Sequence, residues 1–144
     1  MYPITQLLTS KEDLIAVEIL RREVFHIQNI NEHKYLNYLK YKQLYAYGTK
    51  IGNIIVAGCY ISVNYSLLNI QQLFVKESYQ NTGLKLGRNL VLYVLDHKKE
   101  VEQLVGKKIT ASIIMPTSDK SFELYKKIGY EPFTNEFSMM YKSL

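Results

Sequence analysis

A single cysteine, Cys59, excludes an intramolecular disulfide. It lies within the apolar run IIVAGCYISV, which favours a small core thiol over a nucleophile. No apolar run reaches the roughly 18 residues that a membrane span needs. The N-terminal MYPITQLLTSKED has neither a charged n-region nor a long apolar h-region. A reduced, cytoplasmic protein without membrane contact is the expectation. Repeats, linkers and low-complexity tracts are also missing, so residues 1–144 read as one domain with one sizeable core. Glycine is scarce, at 7 residues, which makes its placement informative.

The 47% hydrophobic and 22% charged residues are those of an ordinary globular chain. A net charge of +5 and a pI near 9.1 invite a nucleic-acid reading. The cations are dispersed, however, with short clusters at 21–22 (RR), 97–99 (HKK) and 106–108 (GKK). No helix-turn-helix, zinc-finger or arginine-rich arm accompanies them. At long range the charge draws in an anionic ligand or partner without naming one.

YPITQLL suits an opening strand. Ser10, with Asp13 three residues on, has a capping-box pattern, and Leu14, Val17, Leu20 and Val24 carry a helix to about His26. EHKYLNYLKY is either a second short helix or an ordered loop. Strands are expected at about 43–48, 53–63 and 67–76, a helix at 83–103, a strand at 108–115, and a helix at 118–129 capped by Gly129. YEPF and FSMMYKSL supply closing strands. The order is that of a mixed α/β chain.

Between the strand at 67–76 and the helix after it lies SYQNTGLKLG, residues 78–87, with Gly83 and Gly87 four apart. A helix start leaves amides without internal partners and carries partial positive charge, so a phosphate delivered there meets ready donors. Gly83 permits close backbone approach, Asn81 tolerates unusual angles, and Gln80 and Thr82 add polar side chains. The same glycines also suit a plain turn. The stretch is neither a dinucleotide-binding G-x-G-x-x-G nor a P-loop.

It resembles the coenzyme A pyrophosphate loop of the GNAT superfamily of N-acetyltransferases, whose pattern is Arg or Gln, two residues, Gly, one residue, then Gly or Ala, after a strand ending in Val. Val75, Gln80 and Gly83 stand at that spacing in LFVKESYQNTGLK. Downstream, ELYKKIGYEPF (Glu123 to Phe133) is similar to the family's LYEKxGF-like segment, and LRREVFHIQ is similar to its first helix in several branches. The resemblance covers nearly the whole chain and implies a GNAT-like fold: a single, mostly antiparallel sheet, splayed between its fourth and fifth strands and flanked by helices. Four positions depart from the pattern. Lys85 replaces the loop's last small residue. Ser118 and Ser121 stand where members often have Asn and Ala. Gln72, which cannot take a proton, stands where several carry Glu.

The resemblance further implies direct transfer of an acetyl group from acetyl-CoA, as acyl donor, to a primary amine. Backbone groups of Leu73 and Val75 would pair with the pantetheine arm. The amides of residues 81 to 85 (Asn81, Thr82, Gly83, Leu84 and Lys85) would cradle the pyrophosphate beside Gln80, with Ser118 donating to the arm. An amide of the fourth strand would help hold the developing oxyanion. Tyr125 would protonate the departing thiolate; packing on an amphipathic helix beside Phe122 and Ile128 is its other reading. Glu23, Glu32 and Glu77 are candidate bases by neighbourhood alone, and each also reads as a surface group. A water chain serves equally. His26, His33 and His97 share no metal-ligand spacing, His97 reading as exposed, and no metal is expected. In the 29–47 stretch NINEHKYLNYLKYKQLYAY, Tyr35, Tyr38 and Tyr41 either ring a cationic amine or pack with hydroxyls outward. The expected partner is a small-molecule or peptide amine, with homodimer formation left open. A coenzyme-binding regulatory module without turnover is the alternative.

Overall fold

Ser10 adopts an extended backbone and its hydroxyl accepts the amide of Asp13, which starts the first helix where the capping pattern places it. In the computed structural model, residues 2–28, 31–133 and 139–144 are described. The elements are β1 (Ile4–Leu8), α1 (Lys11–Phe25), α2 (Glu32–Lys42), β2 (Tyr45–Ile51), β3 (Ile54–Asn64) and β4 (Leu67–Val75). A 3₁₀ turn at Glu77–Tyr79 leads to α3 (Leu86–Asp96), α4 (Lys98–Val105), β5 (Ala111–Ile114), α5 (Asp119–Ile128), β6 (Glu131–Pro132) and β7 (Met140–Ser143). Asn31 caps α2, which makes EHKYLNYLKY helical.

The seven strands form one sheet in the order β1-β2-β3-β4-β5-β7-β6, antiparallel throughout except for the β4–β5 pair. Helices cover both faces, so β3 is buried on both sides and reads as a continuous apolar run. On one face Val17 and Leu20 of α1 and Tyr35 and Leu39 of α2 pack with Ile55, Tyr60 and Phe74. On the other, Leu90, Val94 and Val101 of α3 and α4 pack with Cys59, Ile61, Ile70 and Tyr125. Cys59 is fully buried and its thiol is pushed up to about 12 by that burial, which makes it a core residue.

Three expectations need correction. The helix expected at 83–103 is two helices, and it starts at Leu86. Lys85 has φ 53°, which ends helical geometry at the N-terminal side and leaves Gly83 in the loop. At His97 the imidazole stacks on Tyr93 at 3.7 Å, and its Nδ1 lies 2.8 Å from the Tyr93 carbonyl, competing with the helix ladder. His97 is thus half-buried and not an exposed residue. The strand expected at 108–115 shrinks to Ala111–Ile114, because Ile109 N–H donates to Glu102 and Thr110 N–H to the Ser66 carbonyl. Phe137 and Ser138 of the expected last strand lie outside the described residues.

Gly58 of β3 sits beneath α1. A Cβ there would lie 2.5 Å from Val17 Cγ2 and 2.8 Å from the Phe74 ring, whereas one on Gly87 of α3 would meet Leu73 and Val75 at 3.5 and 3.6 Å, ordinary contact distances. Gly58→Ala should therefore cost about 1–3 kcal/mol through overpacking. Gly87→Ala should be neutral or gain up to about 1 kcal/mol, as a helical Gly→Ala change. Urea unfolding of the two variants against the parent checks this; a Gly58→Ala as stable as the parent would mean that α1 does not seat on β3 this closely.

Candidate active site

β4 carries an extra residue opposite β3: Phe74 pairs with Gly58 but Gln71 with Tyr60, so Gln72 and Leu73 together face Cys59. Gln72 takes the left-handed conformation, φ 52°, at this bulge. The bend separates β4 from β5. Their pairing runs from Leu67–Ala111 to Ile70–Ile114, and the β4 edge beyond it has no strand partner among the described residues. The resulting gap is a cavity of about 460 Å³, lined among others by Phe25, Ile70, Leu73, Met115 and Tyr125, with Arg21 and Gln72 at its polar side.

At the end of this gap the chain enters the glycine loop. Asn81 (φ 59°), Gly83 (φ 83°) and Lys85 (φ 53°) are left-handed at alternate positions. Such alternation turns successive amides to one side, forming an anion-binding concavity. None of the backbone N–H groups of residues 81 to 88 donates to an acceptor among the described residues, and α3 begins within that span. A Cβ on Gly83 would meet nothing within 4 Å, so the space above the loop is open to a ligand. Lys120, from the first turn of α5, reaches the Asn81 side chain at 2.6 Å and brings a cation to the loop. These features fit a bound pyrophosphate.

Of the residues singled out from the sequence for coenzyme binding and catalysis, Leu73 and Tyr125 line the cavity. The Val75 carbonyl, at the free end of β4, accepts the Gln80 side-chain amide at 2.8 Å, so Gln80 ties strand to loop. Thr82 donates to the Tyr79 carbonyl, and Leu84, half on the surface, accepts from Asn89 through its carbonyl. Ser118 caps α5: its hydroxyl accepts the Ser121 amide while Ser121 Oγ accepts the Ser118 amide. A ligand bond from Ser118 competes with that reciprocal cap. Tyr125 is 4% exposed, its ring 6.2 Å from Tyr130. Its hydroxyl makes no hydrogen bond among the described residues, and burial above all, with Cys59 and Tyr130 nearby, raises its pKa.

Other candidates stay outside. Glu32 and Glu77 are exposed, as is Glu23, whose charge faces Lys76 at 3.9 Å; none of the three lines the cavity. Of the three tyrosines, Tyr35 and Tyr38 line a second, adjoining cavity, Tyr35 buried with the Arg22 guanidinium 5.9 Å from its ring, whereas Tyr41 is 81% exposed with Lys42 over it.

Sequence reasoning missed a charged network that abuts the gap. Glu18, 3% exposed, accepts from Arg21 (Nε 2.6 Å, Nη2 3.0 Å), from Arg22 Nε at 2.8 Å and from the Tyr60 hydroxyl at 2.7 Å. Tyr60 is bonded in turn to the Tyr35 hydroxyl. Arg21 Nη1 donates to Gln72 Oε1 at 3.0 Å, which links the network to the bulge. The signal was present: Glu18 is four residues past Leu14 and adjacent to Val17, on the sheet-facing side of α1, with arginines three and four positions on. Burial alone would raise the Glu18 pKa, but hydrogen bonds from Arg21, Tyr60 and Arg22 outweigh it and hold the carboxyl below its ordinary value.

No family model matches the sequence, and no curated protein matches it. Solved structures do match its fold over almost its whole length. A probable acetyltransferase from Staphylococcus epidermidis superposes with a TM-score of 0.71 at 18% identity, covering 99% of both chains. The PaiA N-acetyltransferase of Thermoplasma acidophilum, solved with coenzyme A, gives 0.70 at 18% identity over 100% of both. The ribosomal-protein-S18-alanine N-acetyltransferase of Escherichia coli gives 0.70 at 16%, covering 99% of this chain and 94% of its own. An acetyltransferase of the GNAT family from Staphylococcus aureus gives 0.68 at 14%. The chain has the GNAT acetyltransferase fold.

Glu18→Gln should destabilise the protein by about 3–5 kcal/mol at pH 7, because two guanidiniums keep their burial and lose their counter-charge. The sign with pH follows from the lowered carboxyl. Its contribution is full above the ordinary value of 4.5 and is lost as pH falls through the lower folded value. Parent and variant should therefore converge in acid. Denaturant titrations at pH 7 and below pH 4 check this, and a gap that does not change with pH counts against the network.

Proposed function

We propose that this chain transfers an acetyl group from acetyl-CoA to a primary amine by direct attack. The observation that carries the reading is the run of acceptor-free amides at residues 81 to 88, beside an open strand edge and a cavity that Tyr125 lines. The free edge of β4 at Leu73 and Val75 would hold the pantetheine arm as an added strand. The amides of Asn81 to Lys85 would take the pyrophosphate, with Gln80 bracing the loop and Lys120 adding positive charge. Bound there, acetyl-CoA would supply the acetyl group and a thiolate leaving group.

Tyr125 Oη would give its proton to that thiolate. Its raised pKa keeps the hydroxyl protonated at working pH, so the proton is available when the sulfur departs. The incoming amine would lose its proton to water. Glu23, Glu32 and Glu77 stand away from the cavity, and Glu18 is held ionised by its partners. A second reading, coenzyme binding without turnover, draws support from Gln72, which cannot accept a proton, and from Ser118, whose hydroxyl serves the α5 cap.

Acetyl-CoA should raise the melting temperature, and Gly83→Val should remove most of the shift. A branched side chain at φ 83° is strained and fills the open space over the loop. A folded Gly83→Val that still responds like the parent would reject the loop assignment. Tyr125→Phe keeps the ring but removes the acid. Thiol release at saturating acetyl-CoA should fall on the order of a hundred-fold, with coenzyme binding unchanged. Activity within about threefold of the parent assigns Tyr125 to packing alone. Release of no thiol from any amine, with the thermal shift intact, selects the second reading.

A further inference from the structure

A second cavity, of about 350 Å³, opens between α1, α2 and β4 and meets the first at Arg21, Gln71 and Gln72. Its charge is unbalanced. Arg21 and Lys34 line it, Arg22 stands behind Glu18, and Glu18 is the one lining carboxylate among the described residues. Glu32, on the same turn as Lys34, is not among the lining residues. Of the three lining tyrosines, Tyr35 already has Arg22 against its ring, and the Tyr35 and Tyr60 hydroxyls are spent on each other and on Glu18, which leaves the 53% exposed Tyr38 ring against two lining cations, Arg21 and Lys34.

We propose that this cavity seats the acceptor, and that the acceptor is an amine bearing a carboxylate a few bonds away, such as an amino acid or the head of an acidic peptide. The proposal rests on the acetyl-transfer reading for its reaction. Arg21 fixes the place of the anion. Its Nη1 and Nη2 each give one N–H, to Gln72 and to Glu18, and each retains a second. Gln72 is the bulge residue where the two cavities join, so a carboxylate at Arg21 leaves the amine pointing at the gap. Lys34, exposed at the cavity rim and without an ion pair among the described residues, adds attraction at the entrance. A polyamine would bring like charge to the same groups, at a cost that grows as water is excluded.

The test uses L-glutamate and glycyl-glutamate as anionic probes, glycyl-glutaminamide, whose carboxyls are replaced by neutral amides, as the neutral-side-group control and spermidine as the polycationic probe. Both thiol release and calorimetric binding to the coenzyme A-loaded protein are read. An anionic probe should exceed the neutral and cationic ones about tenfold or more in kcat/KM, and the better of the two names the source. Lys34→Glu, on an exposed turn, should raise KM for that probe roughly fivefold to tenfold and leave KM for acetyl-CoA alone. Added salt should shrink the effect. Binding that depends on Lys34 without thiol release keeps this assignment and removes acetyl transfer. Faster turnover of spermidine or of the neutral amide overturns the assignment while acetyl transfer stands. Failure of both anionic probes to bind a protein that binds coenzyme A also overturns it.

Discussion

Gln72 holds a left-handed backbone that non-glycine residues adopt only at a cost of about 1–2 kcal/mol, and the rest of the site depends on its staying there. The bulge it makes turns β4 away from β5, opens the gap, and leaves the β4 edge free. Arg21 supplies the restraint through its bond to the Gln72 side chain, and Glu18 supplies the restraint on Arg21. A chain of three polar residues thus runs from the interior of α1 to the strand that would carry a ligand. Removing its middle member would release the bulge as well as a charge.

A different device shapes the glycine loop, where the proposed pyrophosphate would sit. Left-handed residues at 81, 83 and 85 are each unfavourable for a helix, and together they delay α3 until Leu86. That delay is what leaves the amides from 81 onward turned outward. Water can satisfy them in the open loop, so their exposure carries little penalty until a ligand replaces the water. Gly83 is the position where only a missing Cβ keeps the surface open. Gly87, by contrast, faces Leu73 and Val75 of β4 with room for a Cβ at ordinary contact distance. The two glycines four apart thus serve separate ends, one facing the ligand and one facing the sheet.

Local signals were legible wherever they were strong. The Ser10 cap, the Gly129 cap and the long apolar run of β3 all sit in the structure where the residues place them. The loop spacing Val75, Gln80, Gly83 led to the gap because strand end, turn and helix start are contiguous in sequence. What escaped were pairings between distant residues. Arg21 with Gln72, Tyr60 with Glu18, and Lys120 with Asn81 are separated by 51, 42 and 39 positions, and no local pattern links them. The break at His97 was hidden for another reason: a ring that stacks on the preceding turn competes with a helix that periodicity alone continues. Ser118 shows the reverse limit. Its residue type suits a ligand and a helix cap equally, and the capping geometry with Ser121 is visible only once α5 is folded.

The two cavities join at Arg21 and Gln72 yet differ in electrostatics, a division that suits the proposed transfer. Apart from Arg21, which the two cavities share, the titratable groups at and behind the first keep their protons: burial raises Tyr125, which lines it, and Tyr130 and Cys59 near Tyr125. A proton donor is of use only if it does not ionise early, and an apolar wall provides that. Around the second, burial fails to neutralise Glu18, because two guanidiniums and a tyrosine hydroxyl are already arranged on it. The dispersed positive charge that composition alone left without a target thereby acquires a focus. Part of it is carried into the molecule on α1 and compensated only incompletely. Placed beside the neutral side, that residual charge would orient an anionic acceptor without shifting the proton that the proposed mechanism assigns to Tyr125.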